Sequence, residues 1–139
     1  MLSFSQNRRI EWGDCDPAGI VFNPRYFAFF DHNTTMLYEA AGWPKPVMLK
    51  EFNAVGCPLV ETRARFVAPC TFGDDVTITS TVAEVRRSSF DIRHELKKGE
   101  TLCVEGFETR VWTVRDPDTG KITSAPVPEE IRARFNGNN

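Results

Sequence analysis

The sequence predicts an α+β fold in which one long helix lies against a five-stranded antiparallel sheet, and three observations lead there. One stretch after Asn23 carries apolar residues at helical spacing. Four successive runs after Gly56 alternate apolar and polar residues, with a shorter run near the N-terminus. The breaks between the later runs are too short for crossover helices, so neighbouring strands must run antiparallel.

Each element has a local reason. From Phe4 to Trp12 the apolar residues are Phe4, Ile10 and Trp12, as in a short strand with one wet face. Asp14 to Phe22 joins an Asp/Pro/Gly cluster to Ile-Val-Phe, a loop that turns back under the body of the protein. Asn is a good N-cap and Pro suits the first helical position, so Asn23-Pro24 reads as a helix start. The helix is expected over Pro24 to Ala41. Phe27, Phe30, Thr34, Leu37 and Ala41 form its stripe, Tyr26, Phe29, Met36 and Ala40 widen it, and Gly42 ends it. Its polar side carries Arg25, His32, Asn33 and Glu39. Trp43 to Asn53, broken by two prolines, holds at best one short helix.

The later runs read as Val60 to Phe66, Val76 to Val82, Phe90 to Leu96 and Leu102 to Arg110, alternate residues sharing a face. Joined in sequence they form a meander. "VPEEIRARF" is a short closing helix, and residues 135–139 are expected to fray. One helix covers only part of such a sheet, so edge-to-edge dimerisation is the simplest way to bury the rest.

At 139 residues with 41% apolar and 26% charged residues, the chain is expected to form a single domain spanning 1–139. A net charge of -2 supplies no cationic excess for nucleic acid or an anionic membrane surface. Cys15, Cys57, Cys70 and Cys103 have neither CxxC spacing nor histidine partners, which points away from a metal or redox site and towards reduced thiols in a cytoplasmic protein. No signal-peptide h-region or membrane span is visible.

The chemistry concentrates in "WGDCDPAGIVFNPRYFAFFDH". Asp16 precedes Pro17 and lies a few residues before the helix start, whose unsatisfied N–H groups can steady a developing oxyanion. A carboxylate and such a donor make a minimal kit for acyl transfer. On spacing alone, an acidic turn closed by its own side-chain hydrogen bonds is the competing reading. Asp14 is the better candidate for a structural role.

The run "GDCDPAGIVFNPRYFAFFD", followed by the long helix and the meander, resembles the hotdog-fold acyl-CoA thioesterases, and within them the 4-hydroxybenzoyl-CoA thioesterase branch. Gly56-Cys57-Pro58, Phe72-Gly73-Asp74-Asp75 and Val85 to Phe90 add to the likeness. The resemblance implies hydrolysis of an acyl-CoA, with an aromatic, hydroxybenzoyl-type acyl group expected, to free acid and CoA. It implies Asp16 as nucleophile or general base, the Asn23 backbone N–H as oxyanion donor, and Arg86 and Arg87 beside the CoA phosphates. Asp31 is either a helix-surface acid or a residue of the acyl pocket. The family's closest members carry Tyr where this chain has Asn23, so only the backbone donor carries over there. Hydratases of this fold use an Asp-His pair, and no histidine lies between Asp14 and Asn23. The resemblance also implies no metal or cofactor, CoA being part of the substrate, and a site between subunits in a homodimer or homotetramer. Aliphatic acyl-CoA or acyl-carrier-protein thioesters, and a non-catalytic acyl-CoA-binding role, are the alternatives. His94, in phase with Phe90 and Ile92, reads as a satisfied core histidine, and Glu61 and Arg63 as candidates to line a neighbouring subunit's pocket.

Overall fold

A computed structural model describes residues 1–138; Asn139, at the end of the segment expected to fray, lies outside the described residues. The chain runs β1 (Ser3–Arg9), α1 (Asn23–Ala40), α2 (Lys45–Glu51), β2 (Leu59–Phe66), β3 (Asp75–Val85), β4 (Ser89–Lys98), β5 (Thr101–Val111), β6 (Thr113–Arg115), β7 (Ile122–Ser124) and α3 (Glu129–Phe135). The first five strands form one antiparallel sheet in the order β1-β3-β4-β5-β2, and β6 pairs with β7. The α+β class and the five-stranded antiparallel sheet follow the sequence reading. Beside the 18-residue α1, two seven-residue helices fall in the two segments where short helices were expected.

Two expectations are corrected. The meander contains only β3, β4 and β5; β2 pairs with β5 at the far edge, reached across the eight-residue link 67–74. The buried face of α1 is also turned from the expected stripe. Asn33, assigned to the polar side, is fully buried and donates to Ser80 Oγ; Tyr38 is buried too, and Ala40 is exposed. Spacing locates a stripe but not its centre, and a buried polar row on the sheet draws Asn33 inward.

Alternate residues of β3, β4 and β5 face α1, including Val76, Ile78, Val82, Phe90, Ile92, Leu96 and Val104. The apolar core divides in two along the helix. Tyr26, Phe29 and Phe30 pack with Ile78, Leu96 and Val104, whereas Leu37 and Tyr38 pack with Phe90, Trp112 and Phe135. Between these halves lies a band of buried polar side chains. Strand β2 buries almost nothing: Leu59, Val60 and Phe66 are exposed, as is Val67 just beyond, so its alternation has no covering layer within one chain.

Candidate active site

The acidic loop is a small hairpin standing in front of α1. Cys15 pairs with Val21, Asp16 N–H donates to Ile20 O at 2.9 Å, and Gly19 N–H returns to Asp16 O at 2.9 Å. Gly19 sits at φ +84°, a conformation that glycine adopts without strain. Ile20 and Val21 tie the loop to the 67–74 link through the Ile20–Thr71 bridge and a 2.9 Å bond from Val21 N–H to Cys70 O.

The two aspartates differ in their surroundings, and Asp14 has the structural role expected of it. Asp14 is buried, its Oδ2 accepting Glu11 N–H at 2.9 Å and its carbonyl accepting Phe22 N–H at 2.9 Å, so it closes the loop. Asp16 is half-buried; its Oδ1 accepts Ala18 N–H at 2.8 Å, and its Oδ2 has no protein partner among the described residues. The turn therefore occupies only half of the Asp16 carboxylate. One oxygen fixes the rotamer and the other stays available.

Helix α1 starts one residue earlier than expected. Phe22, extended at φ -67° and ψ 121°, is the cap, and Asn23 and Pro24 are the first two helical residues. Asn23 therefore does not cap with its side chain; its N–H belongs to the first turn, where no intrahelical acceptor exists. Asn23 lines a cleft of about 190 Å³ together with Ile20, Val21, Tyr26 and the 66–69 segment. Burial pushes the Cys57 thiol up to about 11 and the Cys70 thiol up to about 12, so neither offers a thiolate at neutral pH.

Arg86 and Arg87 occupy the β3–β4 turn, and the structure separates them. Arg86 donates to both oxygens of Asp91 at 2.9 and 2.6 Å and to Glu84 at 2.9 Å. The Asp91 hydrogen bond raises its pKa, while Arg86 in turn holds the Asp91 carboxyl below the usual range. The Arg87 side chain is exposed and has no ion pair or hydrogen bond among the described residues; its carbonyl accepts Val127 N–H and Arg132 Nη2. The basic pair is one committed cation and one free one. Both stand far from Asp16 in the same chain. Asn23 and Tyr26 lie beside Phe66, in the row Phe66–Val104–Leu96, whereas the turn adjoins the row Leu59–Arg110–Phe90. Six residues of β4 separate those rows, roughly 20 Å.

Asp31 proves to be more than a helix-surface acid. Its side chain is 61% exposed, yet its Oδ1 accepts Arg110 Nη2 at 2.7 Å from beneath. Arg110 is buried and also donates from Nε to Glu108 Oε1 at 2.7 Å and from Nη1 to Cys57 O at 3.0 Å. Glu108 accepts Thr34 Oγ1 at 2.9 Å and meets His94 Nε2 at 2.9 Å; His94 Nδ1 lies 2.7 Å from Ser80 Oγ. Facing a carboxylate, Nε2 is assigned the proton, and Ser80 then donates to Nδ1. Burial opposes the charge on Glu108, but His94 and Arg110 outweigh it and hold its carboxyl below the usual range. His94 is thus a satisfied core histidine. Sequence reasoning missed Glu108 and Arg110 as partners, although opposite charges two residues apart on the inward phase of β5 were the signal.

A loop carboxylate beside an open helix start, on a sheet that wraps that helix, defines a hotdog-fold thioesterase. The sequence matches the thioesterase-like superfamily over residues 10–135, and the chain belongs to that family. Among its relatives is the 4-hydroxybenzoyl-CoA thioesterase of Pseudomonas sp. strain CBS-3, 33% identical over 132 residues, covering 89% of this chain and 92% of that one. An aspartate-to-asparagine variant of a 4-hydroxybenzoyl-CoA thioesterase, complexed with 4-hydroxybenzoyl-CoA, superposes with a TM-score of 0.87 at 30% identity, over 97% of this chain and 99% of that one. BH1999 gentisyl-coenzyme A thioesterase superposes with a TM-score of 0.81 at 30% identity, over 96% and 99%.

Proposed function

We propose that this chain hydrolyses the thioester of a hydroxylated aromatic acyl-CoA, with Asp16 as nucleophile or general base and the Asn23 N–H as oxyanion donor. The observation that carries the reading is the free Asp16 Oδ2 on a hairpin that leads directly into an open helix start. As nucleophile, Asp16 adds to the thioester carbon; the C–S bond breaks, CoA leaves as thiolate and takes a proton, and water cleaves the mixed anhydride. As base, it takes the proton of the attacking water, and the same C–S bond breaks. Both routes load negative charge on the carbonyl oxygen, where a fixed N–H acts in the transition state.

Helix spacing supports the aromatic part. From Asn23 to Asp31 is eight residues, about 12 Å of helix. Subtracting a hydrogen bond of about 2.8 Å at each end leaves about 6 Å, close to the span of a para-hydroxylated benzoyl group. The relatives named above act on 4-hydroxybenzoyl-CoA and gentisyl-coenzyme A, both hydroxylated aromatic thioesters.

The active unit is a homodimer joined along β2. Its edge exposes Leu59, Val60 and Phe66, whereas β1 at the opposite edge presents Ser, Gln, Asn and Arg. A twofold axis across β2 runs the partner's strand antiparallel, so the partner's Leu59 end comes level with this chain's Phe66 and its cleft. The partner subunit's Arg87 then serves the CoA phosphates, as a guanidinium suits phosphate oxygens, with the partner subunit's Arg86 holding the turn. On the outer sheet face, a concavity of about 410 Å³ mixes Arg63, Arg65 and Arg93 with Glu105, which supports pairing of dimers into a homotetramer.

The test is a panel of aromatic and aliphatic acyl-CoA and acyl-carrier-protein thioesters, with wild type beside Asp16→Asn. Wild type is expected to prefer hydroxylated aromatic acyl-CoAs by kcat/KM, and Asp16→Asn to lose at least about a hundredfold in kcat with its fold intact. Flat preference would remove the aromatic assignment, and absence of turnover by wild type would leave an acyl-CoA-binding protein.

A further inference from the structure

Arg110 has no catalytic task in the reading above, and its surroundings ask for one. Each of its three guanidinium nitrogens donates to a protein acceptor, in turn Glu108, the Cys57 carbonyl and Asp31, and the side chain is only 6% exposed, so it offers little surface to a ligand. The first two bonds satisfy a buried charge. The third reaches out to a side chain that is 61% exposed. An ion pair to such an exposed acid adds little stability. It does restrict geometry. An unpaired aspartate on a helix surface samples several rotamers, whereas Asp31 is held at 2.7 Å by a fork that Glu108 fixes, with Thr34 and His94 bracing Glu108 in turn. Asp31 Oδ2 has no protein partner among the described residues and is left as the available acceptor.

The geometry points to Arg110 as a positioning residue for substrate choice: by fixing Asp31 it aims one carboxylate oxygen at the hydroxyl of the acyl group. This rests on the hydroxyaryl reading, and Arg110 itself touches no substrate. A site prearranged to accept a hydroxyl hydrogen discriminates against a ring that lacks one, because the acceptor then goes unpaired. Glu108, Thr34 and His94 act one step further back, as the brace that keeps Arg110 from following Asp31 into solvent.

The experiment compares kcat/KM for 4-hydroxybenzoyl-CoA with that for benzoyl-CoA, expressed as a ratio, in wild type, Asp31→Ala, Arg110→Lys and the double variant. Lysine keeps a cation for Glu108 but loses the fork that reaches Asp31. Should Arg110→Lys fail to fold, Glu108→Gln combined with Arg110→Met removes both buried charges and is read in the same way. The ratio is expected to fall at least about tenfold in Asp31→Ala and in the Arg110 variant, with no further fall in the double variant, as for residues acting in series. A role confined to stability would lower both substrates together and leave the ratio where it was; that result overturns the inference. So does an unchanged ratio in Asp31→Ala, whose exposed site tolerates the change. A wild-type ratio near one overturns the hydroxyaryl reading itself and the inference with it. A high wild-type ratio that falls in Asp31→Ala but not in the Arg110 variant removes only Arg110.

Discussion

At the scale of single residues, Gly106 shows how closely the helix is seated. It pairs with His94 across β4 and β5, and Phe30 stacks on the His94 ring at 4.6 Å, nearly parallel at 7°. A Cβ built on Gly106 would lie 2.6 Å from Phe30 Cε2. Gly106→Ala is therefore expected to destabilise the protein by about 1 to 3 kcal/mol through overpacking, read from the urea midpoint at constant slope. A change below about 0.5 kcal/mol would mean that Phe30 yields freely. The sequence showed Gly106 on the inward phase of its strand but not the ring above it, since helix and strand meet only in three dimensions. Asp14 and Asp16 were legible for the opposite reason: their side-chain hydrogen bonds fall within three residues. Arg86 was not, because two like residues side by side carry no sign of which one Asp91 will claim.

At the scale of elements, the proposed mechanism gives α1 two tasks, core and donor, and its first turn separates them. In that mechanism the group used at Asn23 is the backbone N–H, so the side chain is dispensable and the hydrogen is not. Proline is admissible at the first helical position, and Phe22 before it is already extended. Asn23→Pro is therefore expected to fold and to lose about a hundredfold or more in kcat, far beyond the loss in Asn23→Ala, measured at saturating acyl-CoA. Equal losses would move the oxyanion donor elsewhere. The helix and its end at Gly42 could be read from periodicity and caps to within one residue. The place of β2 could not, because alternation reports which residues share a face and says nothing of which strand lies beside which.

At the scale of the whole molecule, three carboxyls tie stability to pH. Asp74, held down by the Thr71 N–H, and Asp91, held down by Arg86, both lie below their ordinary value near 3.8; buried Glu108 lies below its ordinary 4.5 through His94 and Arg110. A depressed folded pKa means that the unfolded chain binds more protons as the pH falls, so the stabilisation is complete above about 4.5 and is lost below it. The thermal midpoint is expected to drop from about pH 5 to about pH 3, and less steeply in Asp91→Asn. An equal slope in that variant would assign the acid sensitivity to other groups.

The separation of Asp16 from Arg87 along the sheet has a genetic consequence. If each site draws its acid from one chain and its phosphate clamp from the other, two defective alleles can repair one another. Mixing Asp16→Asn chains with Arg87→Gln chains yields heterodimers in which one site holds both lesions and the other holds neither. Co-refolded mixtures should then regain up to about a quarter of wild-type turnover at subsaturating substrate, the share of intact sites under random pairing of a closed twofold dimer. Activity no higher than the mean of the two parents would place both groups in the same chain's site.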